Sequence, residues 1–392
     1  MVVLNRCGPD RVPWNQERTA PAELFEKHFL LTYYFDKIIV YISFVMTESM
    51  RQNQSIDISE DFINSLAPAV LKNLLQDHSK STSKKYVPIF WATDNYKHLG
   101  PDYAYDKPIT PELITGKHGK VVQPRVVKSK AVQVARSKEM AEVFTPSWVC
   151  NKQNNLIDES WFDCKNVFNT EVDGEDGSHS WIPTKKRIQF PKEKDWKLYV
   201  CDNRLEITCG EGPYLASRYD TTTGDYIPIE KRIGILDRKL RVVDENTENE
   251  DEWLEWAENA CKATYGFEWQ GDNLLLAREA LLMTLIEYYK DKFGRNSCLA
   301  PEILERFAEI ISWNIWQMDG LKGVVPNSCK DEELRELDLF GGEIVRKTAC
   351  EGCAKGDNHK HNGIYCKIKD WQEIDSKTKK PGKVIKFVDL LK

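Results

Sequence analysis

The sequence predicts an α/β fold organised as a doubly wound sheet, and three observations predict it. An apolar run, Trp196 to Val200 and then Leu205 and Ile207, leads into Gly210-x-Gly212, after which Leu215 and Ala216 begin a helical pattern. Long helical stretches at 251–263 and 271–292 alternate with strand-like segments around that glycine turn. The chain, at 392 residues with 41% hydrophobic residues, can bury a large core spread over two or three domains. A strand that stops at Gly-x-Gly lets a ligand approach the backbone, because glycine has no Cβ and accepts positive φ. The start of a helix beyond it would offer free N–H groups to a carboxylate or phosphate.

Taken in order, residues 20–80 read as helical: Ala22-Glu23-Leu24-Phe25 opens an apolar-rich stretch, and Ile56 to Leu75 repeats apolar residues at three- and four-residue spacing. The most apolar segment, Phe29 to Met46, is interrupted by Asp36 and Lys37 and reads as a buried helix rather than a membrane span. Residues 81–116 carry Pro88, Gly100, Pro101, Pro108, Pro111 and Gly116, which predicts loop and short strand with a boundary near 110. The valine-rich, basic stretch 117–135 predicts strands or an extended arm. Within 137–326 the pattern gives a helix at 147–157, an insertion-like polar stretch at 170–180 and strands near 196–208. After Pro326 the sequence turns short, polar and Cys/His-bearing. The expected organisation is a helical N-terminal region (1–110), a basic connecting arm (111–140), a ligand-binding domain (141–326) and a small Cys/His module with a C-terminal tail (327–392).

Composition excludes a polycation: 55 Lys and Arg stand against 61 Asp and Glu, a formal net charge of −6. The distribution is uneven. Lys117 to Lys138 holds seven basic residues and no acid, whereas Asp244 to Glu258 holds eight acids and no base. The basic strip is a candidate for phosphate-backbone contact through Lys117, Lys120, Arg125, Lys128, Lys130 and Arg136; the acidic run reads as solvated surface. Eleven scattered cysteines and an N-terminus without a basic-then-apolar leader predict a cytoplasmic protein with free thiols and one metal cluster.

Four segments then occur in a fixed order. Ala141-Glu142-Val143-Phe144-Thr145-Pro146 resembles the block (G/A)-E-F-F-T-P, although by itself Thr145-Pro146 is also a sound helix start. Glu206 to Leu215 resembles D-P-x-C-G-S-G-x-F-L, with Cys209, Gly210, Gly212 and Leu215 in agreement and Tyr214 for Phe. Tyr265-Gly266-Phe267-Glu268, with Leu276-Ala277-Arg278 after it, resembles (I/Y)-G-x-(D/E)…A-R-x-N-L. Trp313 to Leu321, ending Met318-Asp319-Gly320-Leu321, resembles x-I-x-x-G-D-x-L. Together they resemble the S-adenosylmethionine-dependent DNA adenine-N6 methyltransferases of restriction-modification systems, over roughly half the chain. The resemblance implies a Rossmann-like methyltransferase sheet that binds S-adenosylmethionine. Its cofactor contacts would come from Phe144, Thr145, Pro146, Glu206, Thr208, Cys209, Gly210, Gly212, Phe267, Glu268, Asp319 and Leu321. Glu268 would hold the ribose hydroxyls and Asp319 the adenine amino group.

The sequence departs from that family in one respect. No Asn/Asp-Pro-Pro-aromatic string occurs, the nearest being Thr145-Pro146-Ser147-Trp148 and Val325-Pro326-Asn327-Ser328. In the family that loop accepts hydrogen bonds from the target amino group and stacks an aromatic ring on the flipped base. The catalytic residues are therefore unassigned. The expectation is a modification subunit acting on double-stranded DNA, with the loop supplied by a restriction or second modification subunit. The alternative is a non-catalytic S-adenosylmethionine-binding or scaffold protein of a phage-defence complex. In the C-terminal module, Cys350-x2-Cys353-x5-His359-x-His361-x4-Cys366 predicts a structural zinc site using four of these five residues, with Cys350, Cys353, Cys366 and either His361 or His359. Ser178-His179-Ser180 lacks a nucleophile elbow and reads as surface.

Overall fold

The computed structural model describes residues 2–3, 56–337, 343–376, 378–379 and 381–391. The apolar helix expected at 29–46, and most of the helical region expected at 20–80, lie outside the described residues. A two-residue strand, β1 (Val2–Val3), precedes the helices α1 (Glu60–Leu66) and α2 (Pro68–Leu74). Ser59 caps α1 by accepting from the Phe62 amide, and Pro68 opens α2 at the first position, where its missing N–H costs nothing. Residues 81–116 are irregular, as expected, with isolated bridges such as Phe90–Pro108 and one helical turn, α3 (Pro111–Ile114).

The valine-rich arm is not extended. It forms α4 (Lys130–Met140), started by Ser129, whose hydroxyl accepts from the Val132 amide. The inward pull of Arg136 toward two buried acids outweighs the β-propensity of its valines. Helix α5 (Ser147–Phe162) begins where the sequence places it, but Thr145 does not cap it; the Ser147 amide donates instead to Asp220 at 2.7 Å. The polar stretch 170–180 is a hairpin of β2 (Asn169–Asp173) and β3 (His179–Pro183), turning at Gly177 with φ +79°. The apolar run expected as a strand is the short helix α6 (Trp196–Val200), capped by Asp195, and only β4 (Arg204–Glu206) is strand.

No helix follows the glycine turn directly. The chain makes a single turn at Gly212–Ala216, and α7 (Ile235–Asn246) starts only later. Its first amides are taken by the chain itself: Ile235 N–H donates to the Tyr214 carbonyl and Leu236 N–H to the Leu215 carbonyl. The acidic run 244–258 is explained by α8 (Glu250–Lys262), whose first turn carries Glu250, Asp251 and Glu252 at the positive end of its dipole while Trp253 and Trp256 face the core. Strand β5 (Thr264–Glu268), the long buried helix α9 (Gly271–Phe293), α10 (Pro301–Asn314) and β6 (Ile315–Gln317) follow.

The sheet has the order β1-β4-β5-β6. Strands β4, β5 and β6 are parallel, with Leu205 opposite Tyr265 and Phe267 opposite Trp316, and β1 pairs antiparallel on the outer edge of β4. The protein is therefore mixed α/β with a small three-stranded parallel core. Beyond it come the hairpin β7 (Glu332–Leu337) and β8 (Glu343–Thr348), the turn of helix α11 (Glu351–Lys355), and the hairpin β9 (Lys367–Ile374) and β10 (Pro381–Lys386). The C-terminal tail is packed against the sheet: Cys366, Ile368 and Phe387 join Leu205, Tyr265, Phe267 and Trp316 in one buried apolar cluster. Among the described residues no helix is long and apolar enough to cross a membrane.

Arg278 of α9 ties the layers together. Its guanidinium donates to the carbonyls of Ile315 (2.8 Å), Ser312 (3.0 Å) and Gln76 (3.1 Å) and to that of Leu74, so it joins α2 to the α10–β6 junction. Truncation would leave several buried carbonyls without donors, each costing about 1–3 kcal/mol. Arg278→Met is expected to lower the stability measured by urea unfolding by about 3 kcal/mol or more. A loss below about 1 kcal/mol would show that this junction is held by packing alone.

Candidate functional site

A cleft of about 1250 Å³ opens at the carboxyl ends of β4 and β5, where ligands of parallel α/β sheets are bound. Several separated segments converge on it: Ala92–Asp94 with Tyr105, Asn327, and three that reach the strand ends. The link between α4 and α5 contributes Glu142, Val143, Phe144 and Thr145; the end of β4 contributes Glu206, Thr208, Cys209 and Gly210; the end of β5 contributes Glu268, Trp269 and Gln270.

The glycines serve two ends. Gly210 (φ +54°) and Gly212 (φ +77°) take the left-handed backbone that the reversal after β4 requires. Gly212 does not line the cleft; a Cβ there would touch Ala277 of α9 at 3.4 Å. Gly266 is needed for packing, since a Cβ would lie 3.0 Å from Leu215 and 3.3 Å from the Cys209 sulfur. Residue 266 thus holds the turn down onto β5.

Two buried acids face each other across the strand ends. Glu268 accepts from the Gly210 amide at 2.9 Å and from the Gln270 amide at 3.1 Å. Burial nevertheless pushes its carboxyl up to about 7. Burial also drives Glu206 well above the usual carboxylate range, with the charge of Glu268 adding to it. One oxygen of Glu206, Oε2, and one of Glu142, Oε1, are buried without a hydrogen-bond partner. Unpartnered carboxylate oxygens at a cleft are acceptors waiting for a donor.

Beside the cleft lies an internal ionic cluster. Arg136 pairs with Glu142 at 2.6 Å and with Asp272 at 2.8 Å; Lys128 reaches Asp272 at 3.4 Å, and the Tyr96 hydroxyl donates to Asp272 at 2.8 Å. The charges of Arg136 and Lys128 hold the buried Asp272 carboxyl well below the ordinary carboxylate range. The basic strip is thereby divided. Arg136 is buried, Lys128 is committed to Asp272, and Arg125 donates to Ser137 and lies over the Phe144 ring, so these three are spent on internal contacts behind the cleft rather than on an outer charged face. Lys117, Lys120 and Lys130 remain exposed.

Other residues expected at the site fall elsewhere. Pro146 caps α5 outside the lining, and Phe267 is buried in the apolar cluster on the sheet. Asp319 does not line the cleft: it accepts from the Leu321 amide at 3.1 Å and pairs with Lys322 at 3.2 Å, and Leu321 is 87% exposed. The tight turn after β6 explains this, because it spends the carboxylate on its own backbone. Sequence reasoning missed Trp269, Asn273 and Asn327 as lining residues. The first directly follows the acid at the strand end, a position that could have flagged it.

The second candidate site is a metal centre. Cys329, Cys350, Cys353 and His361 bring their ligand atoms within 4.8 Å of one another. His361 Nδ1 lies 3.6 Å from each of the three sulfurs. A tetrahedral ion with metal–sulfur bonds of about 2.3 Å and a metal–nitrogen bond of about 2.0–2.1 Å sets that S–N edge at about 3.6 Å. The Cys3His set can therefore hold a metal ion. Gly352 makes it possible, as a Cβ there would collide with His361 at 2.6 Å. Backbone N–H groups of Asn362 and Cys353 stabilise the Cys350 thiolate and bring it down to about 6. Burial and the hydrogen bonds its thiol donates to the other two cysteines push Cys329 up to about 12, so a cation is needed for all three to ionise.

This corrects the expected ligand set in one member. Cys366 is fully buried in the apolar cluster, its sulfur 3.3 Å from the Gln317 carbonyl, and Cys329 takes its place. His359 is exposed and outside the centre; His361 is the histidine within it. Comparison with protein-family models, curated proteins and solved structures finds no match. Metal analysis of natively purified protein is expected to give about one equivalent of divalent ion. Cys366→Ser should retain the ion and Cys329→Ser should lose it; the opposite pattern would restore the ligand set read from spacing.

Proposed function

We propose that this chain is the cofactor-binding subunit of a DNA adenine-N6 methyltransferase of the restriction-modification type, with S-adenosylmethionine as the ligand of the cleft. The observation that carries the reading is the charge of the lining. Asp94, Glu139, Glu142, Glu206 and Glu268 line it against Lys138 alone. Arg136 behind the wall pairs with Glu142, and burial holds Glu206 and Glu268 toward their neutral forms. Glu142 and Glu206 still present unpartnered buried oxygens that a cationic ligand would compensate. Such a lining repels phosphate and favours a ligand with positive charge and hydroxyl donors. A sulfonium nucleoside bearing an ammonium group fits that requirement; a dinucleotide or nucleoside triphosphate does not.

In this reading Glu268 accepts from ribose hydroxyls, Glu142 and Glu206 offer acceptors to the cationic end, and Phe144 and Trp269 supply apolar walls. When bound, the cofactor supplies an electrophilic methyl group. The protein's own contribution is to hold and align reactants and to exclude water, which needs no general base of shifted pKa. The parallel strands run in the order β6-β5-β4, the equivalent of one half of a doubly wound sheet. At the position where strand order would reverse, β4 carries only the two-residue β1 among the described residues. A second subunit bearing the Pro-Pro-aromatic loop is proposed to complete the site there, with Lys117, Lys120 and Lys130 facing double-stranded DNA. Zinc is the ion proposed for the Cys3His centre, in a structural role because all four positions are protein ligands.

Transfer of tritiated methyl groups to DNA tests the reading, first with this chain alone and then with a neighbouring gene product. Transfer in the second mixture is the expected result; cofactor binding with no transfer in either would leave a binding or scaffold protein. Gly210→Leu forces a side chain into left-handed backbone beside Phe144 and is expected to abolish binding of S-adenosylhomocysteine, read by calorimetry. Wild-type affinity in that variant would show that the ligand lies elsewhere.

The pH dependence follows from Glu268. A carboxyl raised to about 7 is mostly protonated at pH 6 and mostly ionised at pH 8. Its protonated form is a poorer acceptor, so affinity is expected to rise roughly tenfold between those values, and the rise should vanish in Glu268→Gln. Stability moves the other way. The folded state binds the extra proton between the ordinary carboxylate range and about 7, so this group makes folding less favourable as pH climbs through that window.

A further inference from the structure

The metal centre and the cleft are joined by one short turn. Val325 to Ser328 forms a β-turn, with the Ser328 amide donating to the Val325 carbonyl at 3.1 Å. Pro326 occupies its second position and Asn327, at φ +57°, its third, the arrangement in which a left-handed residue follows proline. Pro326 is buried, whereas Asn327 is exposed and lines the cleft. Two residues further on, Cys329 is a member of the metal centre.

Every other connection of this turn leads to the same two places. Val325 N–H donates to the Ile364 carbonyl at 2.8 Å, and the Ile364 amide donates to Ser328 Oγ at 3.0 Å, which binds the turn to the strand just after His361. On its other side the Asp319 amide donates to the Val324 carbonyl at 2.8 Å, at the end of β6. Lys322, paired with Asp319, also places its charge near Cys353 and Cys329. The hairpin β7–β8 separates Cys329 from Cys350 by 20 residues, so without an ion the turn is joined to the Cys350–His361 part of the centre through the Ile364 bonds, the Val324–Tyr365 bridge and the Lys330–Asn362 hydrogen bonds.

We propose that the Cys329–Cys350–Cys353–His361 centre is a clamp that fixes the Val325–Ser328 turn at the cleft, and that the Asn327 carboxamide carried by this turn contacts the bound ligand. The turn itself explains only the backbone of residue 327, which glycine would satisfy equally well. A carboxamide can both donate and accept, so an exposed Asn327 at the cleft can meet either an acceptor or a donor atom of the ligand. The inference rests on the reading of the cleft as a sulfonium-nucleoside site, so its test separates the two.

Three full-length variants, Asn327→Gly, Cys353→Ser and the double variant, are titrated with S-adenosylhomocysteine, and their zinc content is measured in parallel. Asn327→Gly keeps the positive φ and is expected to retain full zinc while weakening binding about 5- to 10-fold, the scale of one lost hydrogen bond. Cys353→Ser should lose zinc and weaken binding at least as much, and the double variant should be no weaker than Cys353→Ser. Unchanged affinity in Asn327→Gly, or wild-type affinity in the zinc-free variant, overturns the proposal. A wild-type protein that binds no S-adenosylhomocysteine overturns the cofactor reading and the ligand contact with it. The clamp is then decided by hydrogen exchange. Chelating the ion should speed exchange in residues 318–329 at least about tenfold while residues 271–293 stay unchanged; equal exchange with and without the ion overturns it.

Discussion

The carboxylate of Glu268 is the interaction on which the site depends. It ends β5, accepts from the glycine turn that ends β4 and accepts again from Gln270 at the start of α9. One side chain therefore joins two strands and a helix at the mouth of the cleft. The cost is a desolvated carboxyl held near neutrality, and the two backbone donors offset part of it. Neighbouring Glu206 is desolvated still further. A region that gathers buried acids in this way is poorly arranged for stability, which is why it reads as a binding site.

The surrounding structure makes that arrangement tenable by placing its cations one layer back. Arg136 and Lys128 neutralise Asp272 and Glu142 from α4 and the segment before it, and leave the acceptor oxygens of the cleft uncompensated. Deeper in the molecule Asp158 is held by Arg204 and Arg238, and Glu287 by Arg218 and Arg232, so the helices around the sheet are tied by paired charges rather than by apolar contact alone. Paired buried charges of this kind set geometry more than they add net stability. At the far end, a Cys3His cluster able to hold a metal ion lies in a segment with little core of its own, which a bound ion would anchor.

Much of this was legible in the sequence where a residue type has few alternatives. Glu206, Gly210 and Glu268 line the cleft at the strand ends, Gly212 shapes the turn behind it, and Cys350, Cys353 and His361 sit in the metal centre. Cys329 was hidden because a hairpin, not a short knuckle, links it to its partners. Cys366 has suitable spacing, but the apolar cluster on the sheet claims it. Local pattern failed where tertiary charge or capping decided the outcome. The valines of 126–134 suggested strands, yet Ser129 and the inward pairs of Arg136 make part of that stretch a helix; Trp196–Val200 looked like a strand and is helical behind an Asp195 cap. The helix expected directly after Gly212 is postponed to Ile235, where its first amides are taken by the Tyr214 and Leu215 carbonyls of the glycine turn.

The most direct test of the cleft's identity is localisation of the ligand. Methyl-tritiated S-adenosylmethionine is crosslinked to the zinc-loaded protein by ultraviolet light, and the labelled peptides are mapped. Label is predicted within 92–105, 138–146, 204–218, 264–273 or 325–328, the segments that line the cleft, and should be displaced by S-adenosylhomocysteine. Label confined to other segments, or none that the competitor displaces, would contradict the assignment of this cleft to a sulfonium nucleoside.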